Sequence, residues 1–149
     1  MRQREMTLIR IAAVLWIVWG VVHAFAGVMT IRFAGGGSIA EAIGGIADAV
    51  DAATVAGNYP EALGGILGQH GFNLLWFGIA TTVGALFMWR ASRIAVAFNA
   101  IVGGLADVGY FIFIDLAGYA NFVPGTVMTI VSATAILLSV IVVMRGRRG

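Results

Sequence analysis

Apolar positions along the chain gather into four long runs separated by short polar breaks. Residues 8–31 form the first, interrupted only by Arg10 near its start, and residues 70–89, 94–116 and 127–144 form the others. Each is long enough to cross a bilayer, whose hydrocarbon takes about 20 helical residues. The runs are continuous rather than alternating, so they read as helices and not as barrel strands. The pattern predicts an all-α chain, a polytopic membrane four-helix bundle forming a single domain over residues 1–149. Glycines inside the runs fit this reading, because small residues let membrane helices approach closely.

The stretch between the first two runs, residues 32–69, is a long outer loop. Gly35-Gly36-Gly37 is a flexible break, after which Ser38 and Glu41 have capping-box spacing. Ile39, Ile43, Ile46 and Val50 follow at helical intervals, with Glu41, Asp48 and Asp51 toward the other side. This predicts an amphipathic helix over 39–56, lying on the outer membrane surface or capping the bundle. Its acidic face favours the capping role. Asn58-Tyr59-Pro60-Glu61 reads as a turn starting a second short helix. Residues 118–125 make a short second outer loop, with Pro124 just ahead of the fourth run.

Composition says which solvent the runs face. The chain is 60% hydrophobic and 11% charged, against about 25% charged in soluble domains, so lipid must cover much of the surface. Charge then sets orientation. Arg2, Arg4 and Arg10, the Arg90–Arg93 link, and Arg145, Arg147 and Arg148 fall on one side; only Arg32 falls on the other. The positive-inside rule places both termini in the cytoplasm, and the all-Arg, Ala/Gly/Val-rich composition points to a bacterial inner membrane. The net charge of +2 is accordingly read as contact with the lipid surface, with no nucleic-acid partner. Absence of cysteine excludes disulfides, thiolate nucleophiles and thiolate-bound metals. Arg2, Arg4 and Ala24-Phe25-Ala26 also resemble a signal peptide, but the first run outlasts the usual h-region of about 7–15 residues. An uncleaved helix is predicted. Gly20-Val21-Val22-His23 and Gly104-Leu105-Ala106-Asp107 share a Gly-x-x-polar spacing, a faint trace of two parallel halves.

Ionisable groups inside a membrane are costly and point to function by default. Measured at about 1.5 Å per residue from the nearest inner arginine, His23 and Asp107 both lie roughly 20 Å up. Asn73 and Tyr110 come about 25 Å up, and His70 and Asp115 roughly 30–33 Å up, at the mouth. Helical spacing aligns His70, Asn73 and Phe77, and likewise Asn99, Gly103, Asp107 and Tyr110. Together these predict an outward-facing polar pocket. Each residue also has a plainer role: Asp107 as a hydrogen-bond anchor, His23 bonding a hydroxyl across helices, Asn99 joining two helices, His70 and Asp115 in solvent. Trp16, Trp19, Trp76 and Trp89 read as packing or interfacial anchors.

An Arg-flanked first helix running through Leu15, Gly20 and His23, followed by three more spans, resembles the DoxX-like group of small bacterial four-helix membrane proteins. The resemblance implies the architecture and carries no functional residue. Three functions follow from the residues. One is a proton- or cation-linked transporter or channel-like subunit, with Asp107 exchanging a proton and His23 paired to it, acting as a homo-oligomer. The second is a structural or accessory protein binding a partner membrane protein through its helices or acidic loop. The third is a haem or metal protein using His23 and His70, or a mixed site with Asp107 and Asp115. No cofactor is expected on the first two readings. Ser38, Ser132 and Ser139 lack any nucleophile–base signature, so enzyme chemistry is not indicated.

Overall fold

A computed structural model describes residues 3–145, and within them the chain is helical. The helices are α1 (Gln3–Gly35), α2 (Ile39–Gly44), α3 (Glu61–Trp89), α4 (Arg93–Tyr110) and α5 (Val127–Arg145). Four helical segments, Gln3–Gly35, Glu61–Trp89, Arg93–Asp115 and Phe122–Met144, are long and apolar enough to cross a membrane. Arg2, Arg147 and Arg148 lie outside the described residues. Alternating direction puts Arg4, Arg10, Arg90 and Arg93 at one end of the bundle. Arg10 lies over the Trp89 ring, 5.5 Å from its centroid, tying the foot of α1 to that of α3.

The outside of the bundle is a belt of bare apolar side chains. Phe25, Ile94, Leu105 and Phe113 are each at least 66% exposed, which water would penalise and lipid does not. Inside, Ile9, Ala12, Ala13, Trp16, Trp19, Ala85, Met88, Ala135 and Val142 form the core. Hydroxyls along the helices, such as Thr30, Thr81 and Ser139, donate to carbonyls of the preceding turn at 2.7–2.9 Å. That satisfies them where no water is at hand.

The strongest packing joins α1 to α3 along a seam of small residues. Gly20 faces Gly78, Gly27 faces Gly71, and Ala34 faces Gly64. Each pair is seven residues from the next, in antiparallel register, and buried Ala13 and Ala85 continue the series. A Cβ on Gly27 would come within 2.6 Å of the Gly71 carbonyl oxygen, and one on Gly20 within 2.6 Å of the Gly78 oxygen. Only glycine permits that approach of two backbones, and the close dispersion contact replaces the hydrophobic drive that lipid removes.

This seam explains a difference from the sequence reading. The second span begins at Glu61 rather than near residue 70. Gly64, Gly65 and Gly68 read as loop by propensity, but packing of Gly64 on Ala34 and of Gly71 on Gly27 of α1 overrides the propensity cost. The turn at Asn58–Pro60 thus opens the long α3, not a separate short helix. The amphipathic helix expected over 39–56 is also corrected: α2 ends at Gly44. Two consecutive glycines, Gly44-Gly45, carry the highest backbone entropy cost in a helix, and the chain continues to residue 51 in turns. The Ser38 capping box does not form; Ser38 makes no side-chain cap bond.

α3 and α4 are joined by a tight reversal. Ser92 N–H donates to Phe87 O at 3.2 Å and Ala91 N–H to Met88 O at 2.8 Å, with Ala91 at φ 62°. This is the Schellman arrangement, with alanine where glycine is the usual occupant. Ser92 then caps α4, accepting from Ala95 N–H at 3.3 Å. The end of α4 away from Arg93 opens into a wider π-type turn, Phe111–Asp115, and a second one, Phe122–Thr126, leads into α5.

Candidate functional site

The half of the bundle away from Arg10 and Arg93 holds a half-open cavity of about 380 Å³. α1, α3, α4 and the head of α5 form its walls, and the first outer loop forms its roof. His23, His70, Asp107 and Tyr110 all line it, so four of the six sequence candidates come together. Asn73 and Asp115 do not line it. The wall supplied by α3 is His70, Leu74 and Phe77, which leaves Asn73 to accept a 3.3 Å bond from Trp76 Nε1 on its own helix. Asp115 sits in the π-type turn and is held by α5 instead, accepting from Thr126 at 2.7 Å and Thr129 at 3.2 Å. The pocket expected to be polar is mostly apolar: Val22, Leu74, Phe77, Phe113, Ile114 and Met128 make most of its wall.

Asp107 is the centre of the site. It is 4% exposed. Trp19 Nε1 of α1 donates to Oδ1 at 3.1 Å, and the Ser132 hydroxyl of α5 is hydrogen-bonded to Oδ2. One carboxyl group therefore ties three helices. Ser132 Oγ also lies 3.1 Å from Thr129 O, so its single hydrogen has two acceptors. With Asp107 ionised, Ser132 donates to Oδ2. With Asp107 protonated, Oδ2–H donates to Ser132 Oγ, and the serine hydrogen turns to Thr129 O. Both charge states leave every polar atom of the group satisfied, because a hydroxyl is donor and acceptor at once.

His23 reaches Asp107 through Trp19. Its ring stacks on the Trp19 indole at 3.6 Å between centroids, and among the described residues no hydrogen bond joins it to Asp107 directly. Nδ1 is 2.8 Å from Trp19 O. A carbonyl oxygen only accepts, so Nδ1 carries the proton and Nε2 of the neutral ring keeps its lone pair. The bond lies within α1, not across helices as its plainer reading had it. Trp19 is the residue that sequence reasoning missed; it read as packing, and packing is only half its role. Ser132, measured down from Arg145 with the same ruler, lies roughly 20 Å up, level with Asp107, but nothing along the chain gives its rotation toward α4.

The roof is fastened by a polar clasp between the two outer loops. Asn121 N–H donates to Asp48 Oδ1 and its Nδ2 to Asp48 O, both at 2.7 Å, while Ala49 N–H donates to Tyr119 O at 3.0 Å. Asp48 itself lines the cavity beside Gly45 and Ile46. The acidic loop caps the bundle.

For a cofactor, His23 has the orientation of a metal ligand, with one ring nitrogen fixed by a carbonyl. The seam register places His70 about five residues further out, roughly 7.5 Å. Among the described residues no three of His, Asp or Glu gather into a metal-holding group. Deeper in the core, the buried atoms Trp16 Nε1 and Asn99 Oδ1 have no hydrogen-bond partner among the described residues. Asn99 Nδ2 does join α4 to α3, donating to Thr81 O at 3.0 Å.

Compared with protein-family models, with curated proteins and with solved structures, the chain matches none.

Proposed function

We propose that this is a multi-pass protein of a bacterial inner membrane, with both termini cytoplasmic, that binds a small ligand in its outer cavity and couples occupancy to proton exchange on Asp107. Transport of that ligand, by an assembly of several copies, is the activity this coupling would serve. The arginine distribution supports the orientation. Cavity size and character support a ligand: such sites are commonly about 300–1,000 Å³, mostly apolar, with a few convergent polar groups.

The single observation that carries the reading is the Trp19–Asp107–Ser132–Thr129 arrangement. A purely structural anchor needs one protonation state. This one is satisfied in two, which is what a group that takes up and releases a proton at depth requires. The likeness to DoxX-like proteins is one of architecture and adds nothing to this assignment.

Infrared difference spectroscopy of the protein in lipid tests it. Between mildly alkaline and mildly acidic pH, a protonated-carboxyl band should appear in the parent and be missing from Asp107→Asn. No such band at any pH would make Asp107 a fixed tie between helices and favour the accessory role.

A further inference from the structure

The chemistry of the cavity selects among ligands. Resting on the reading just given, we propose that the site takes a lipophilic primary amine in its protonated form. The ammonium would be held between Asp107 and Asp48, with the apolar body against the α3 and α4 walls.

Charge is the first argument. The ionisable side chains lining the cavity are two carboxylates, two imidazoles and the Tyr110 phenol, and no arginine lines it. Every charge the two carboxylates can carry is negative, so an anion would meet repulsion at the roof and find no cation at the floor.

Hydrogen-bond polarity is the second. Each Asp107 oxygen accepts one bond, and a carboxylate offers about four lone-pair sites in all, so capacity is left over. His23 contributes the Nε2 lone pair. Asp48 gives Oδ1 to Asn121 and has a second oxygen. The site is rich in acceptors, and a primary ammonium, with three donors and no acceptor, is its complement. Phe77 and Phe113 on the walls add aromatic faces that favour a cation.

Size is the third. A cavity of about 380 Å³ is the size for one compact organic molecule. The proton balance closes. A protonated Asp107 releases its proton as the ammonium arrives, leaving a carboxylate–ammonium pair, so one proton leaves for each cation bound.

Three probes sharing one skeleton test this: 4-phenylbutylamine, 4-phenyl-1-butanol and 4-phenylbutanoate. Each is titrated calorimetrically into the full-length protein in mild detergent, in two buffers of different ionisation enthalpy. The amine should bind about tenfold or more tightly than the alcohol, as a charge-assisted bond would give, with proton release; the carboxylate should not bind. Asp107→Asn should bring the amine to within about threefold of the alcohol's affinity, with the fold of the variant checked separately by its tryptophan fluorescence, since Trp16 and Trp19 are buried. Asp48→Asn, in the roof and clear of the core, should weaken the amine by about threefold. Equal affinity for amine and alcohol in the parent, or an amine preference undiminished in Asp107→Asn, overturns the amine assignment while leaving a ligand site. Failure of all three probes to bind overturns the ligand reading itself.

Discussion

Replacing Asp107 in two ways separates its bonds from its charge. Asp107→Leu removes both acceptors. Ser132 then turns its hydrogen to Thr129 O, 3.1 Å away, and loses nothing. Trp19 Nε1, on a side chain with 0% exposure, has no second acceptor. A buried orphan donor costs about 1–3 kcal/mol, and interhelical bonds measured inside membranes reach at most about 1.7 kcal/mol. The expected loss is therefore about 1–2 kcal/mol, a factor of roughly 5–30 in the folding equilibrium. Asp107→Asn should cost less than about 0.5 kcal/mol. Its carbonyl accepts from Trp19, and its amide donates to Ser132 as a protonated carboxyl would. The assay is reversible unfolding by sodium dodecyl sulfate in mixed micelles, followed by tryptophan fluorescence, since Trp16 and Trp19 are both buried. If leucine leaves stability unchanged, or asparagine harms it as much as leucine does, the three-helix tie has been misjudged.

Other substitutions probe the frame. Gly27→Ala should destabilise by about 1–3 kcal/mol in the same titration, because its Cβ meets only backbone atoms of α3 and cannot be accommodated without parting the helices. Gly109→Ala, with nothing within 4 Å, should instead stabilise by about 0.5–1 kcal/mol through helix propensity. Ala91→Gly should stabilise by about 1 kcal/mol, by relieving the left-handed backbone at φ 62°. Because the chain has no cysteine, Gly57→Cys and Thr7→Cys report orientation cleanly. An impermeant thiol reagent should label the first on intact cells and the second only after permeabilisation.

The spans were legible because lipid imposes one demand on each, a sufficient apolar length, and that demand is written in consecutive residues. What lay between helices was less so. Gly64 looks like loop until Ala34 of α1 is laid against it, and Gly44-Gly45 ends a helix whose apolar spacing runs on through Val50. The site divided the same way. A ruler of rise per residue brought out His23, His70, Asp107 and Tyr110, since depth depends on sequence position alone. Facing depends on rotation as well. Asn73 is one position off the wall made by His70, Leu74 and Phe77. The π-type turn at Phe111–Asp115 adds backbone that an α-helical ruler does not count, and so re-aims Asp115 toward α5. Trp19 was hidden by its bulk: nothing in a sequence distinguishes an indole that fills space from one whose N–H is spoken for.

The glycine seam also bears on how the chain is made. Once Trp89 has left the ribosome, α1 and α3 exist in full, and their register needs nothing from the residues that follow. Domains and motifs nearest the N-terminus generally fold first during synthesis. A helical hairpin zipped from Ala34–Gly64 at one end to Ala13–Ala85 at the other can thus stand in the bilayer as a finished template. α4 and α5 then dock onto it, with polar ties from Asp107 to Trp19 and from Asn99 to Thr81. Errors in the first half would strand the protein before its cavity exists; errors in the second would leave an inserted but empty scaffold. The two classes of defect should part at quality control, the former degraded early and the latter accumulating in the membrane.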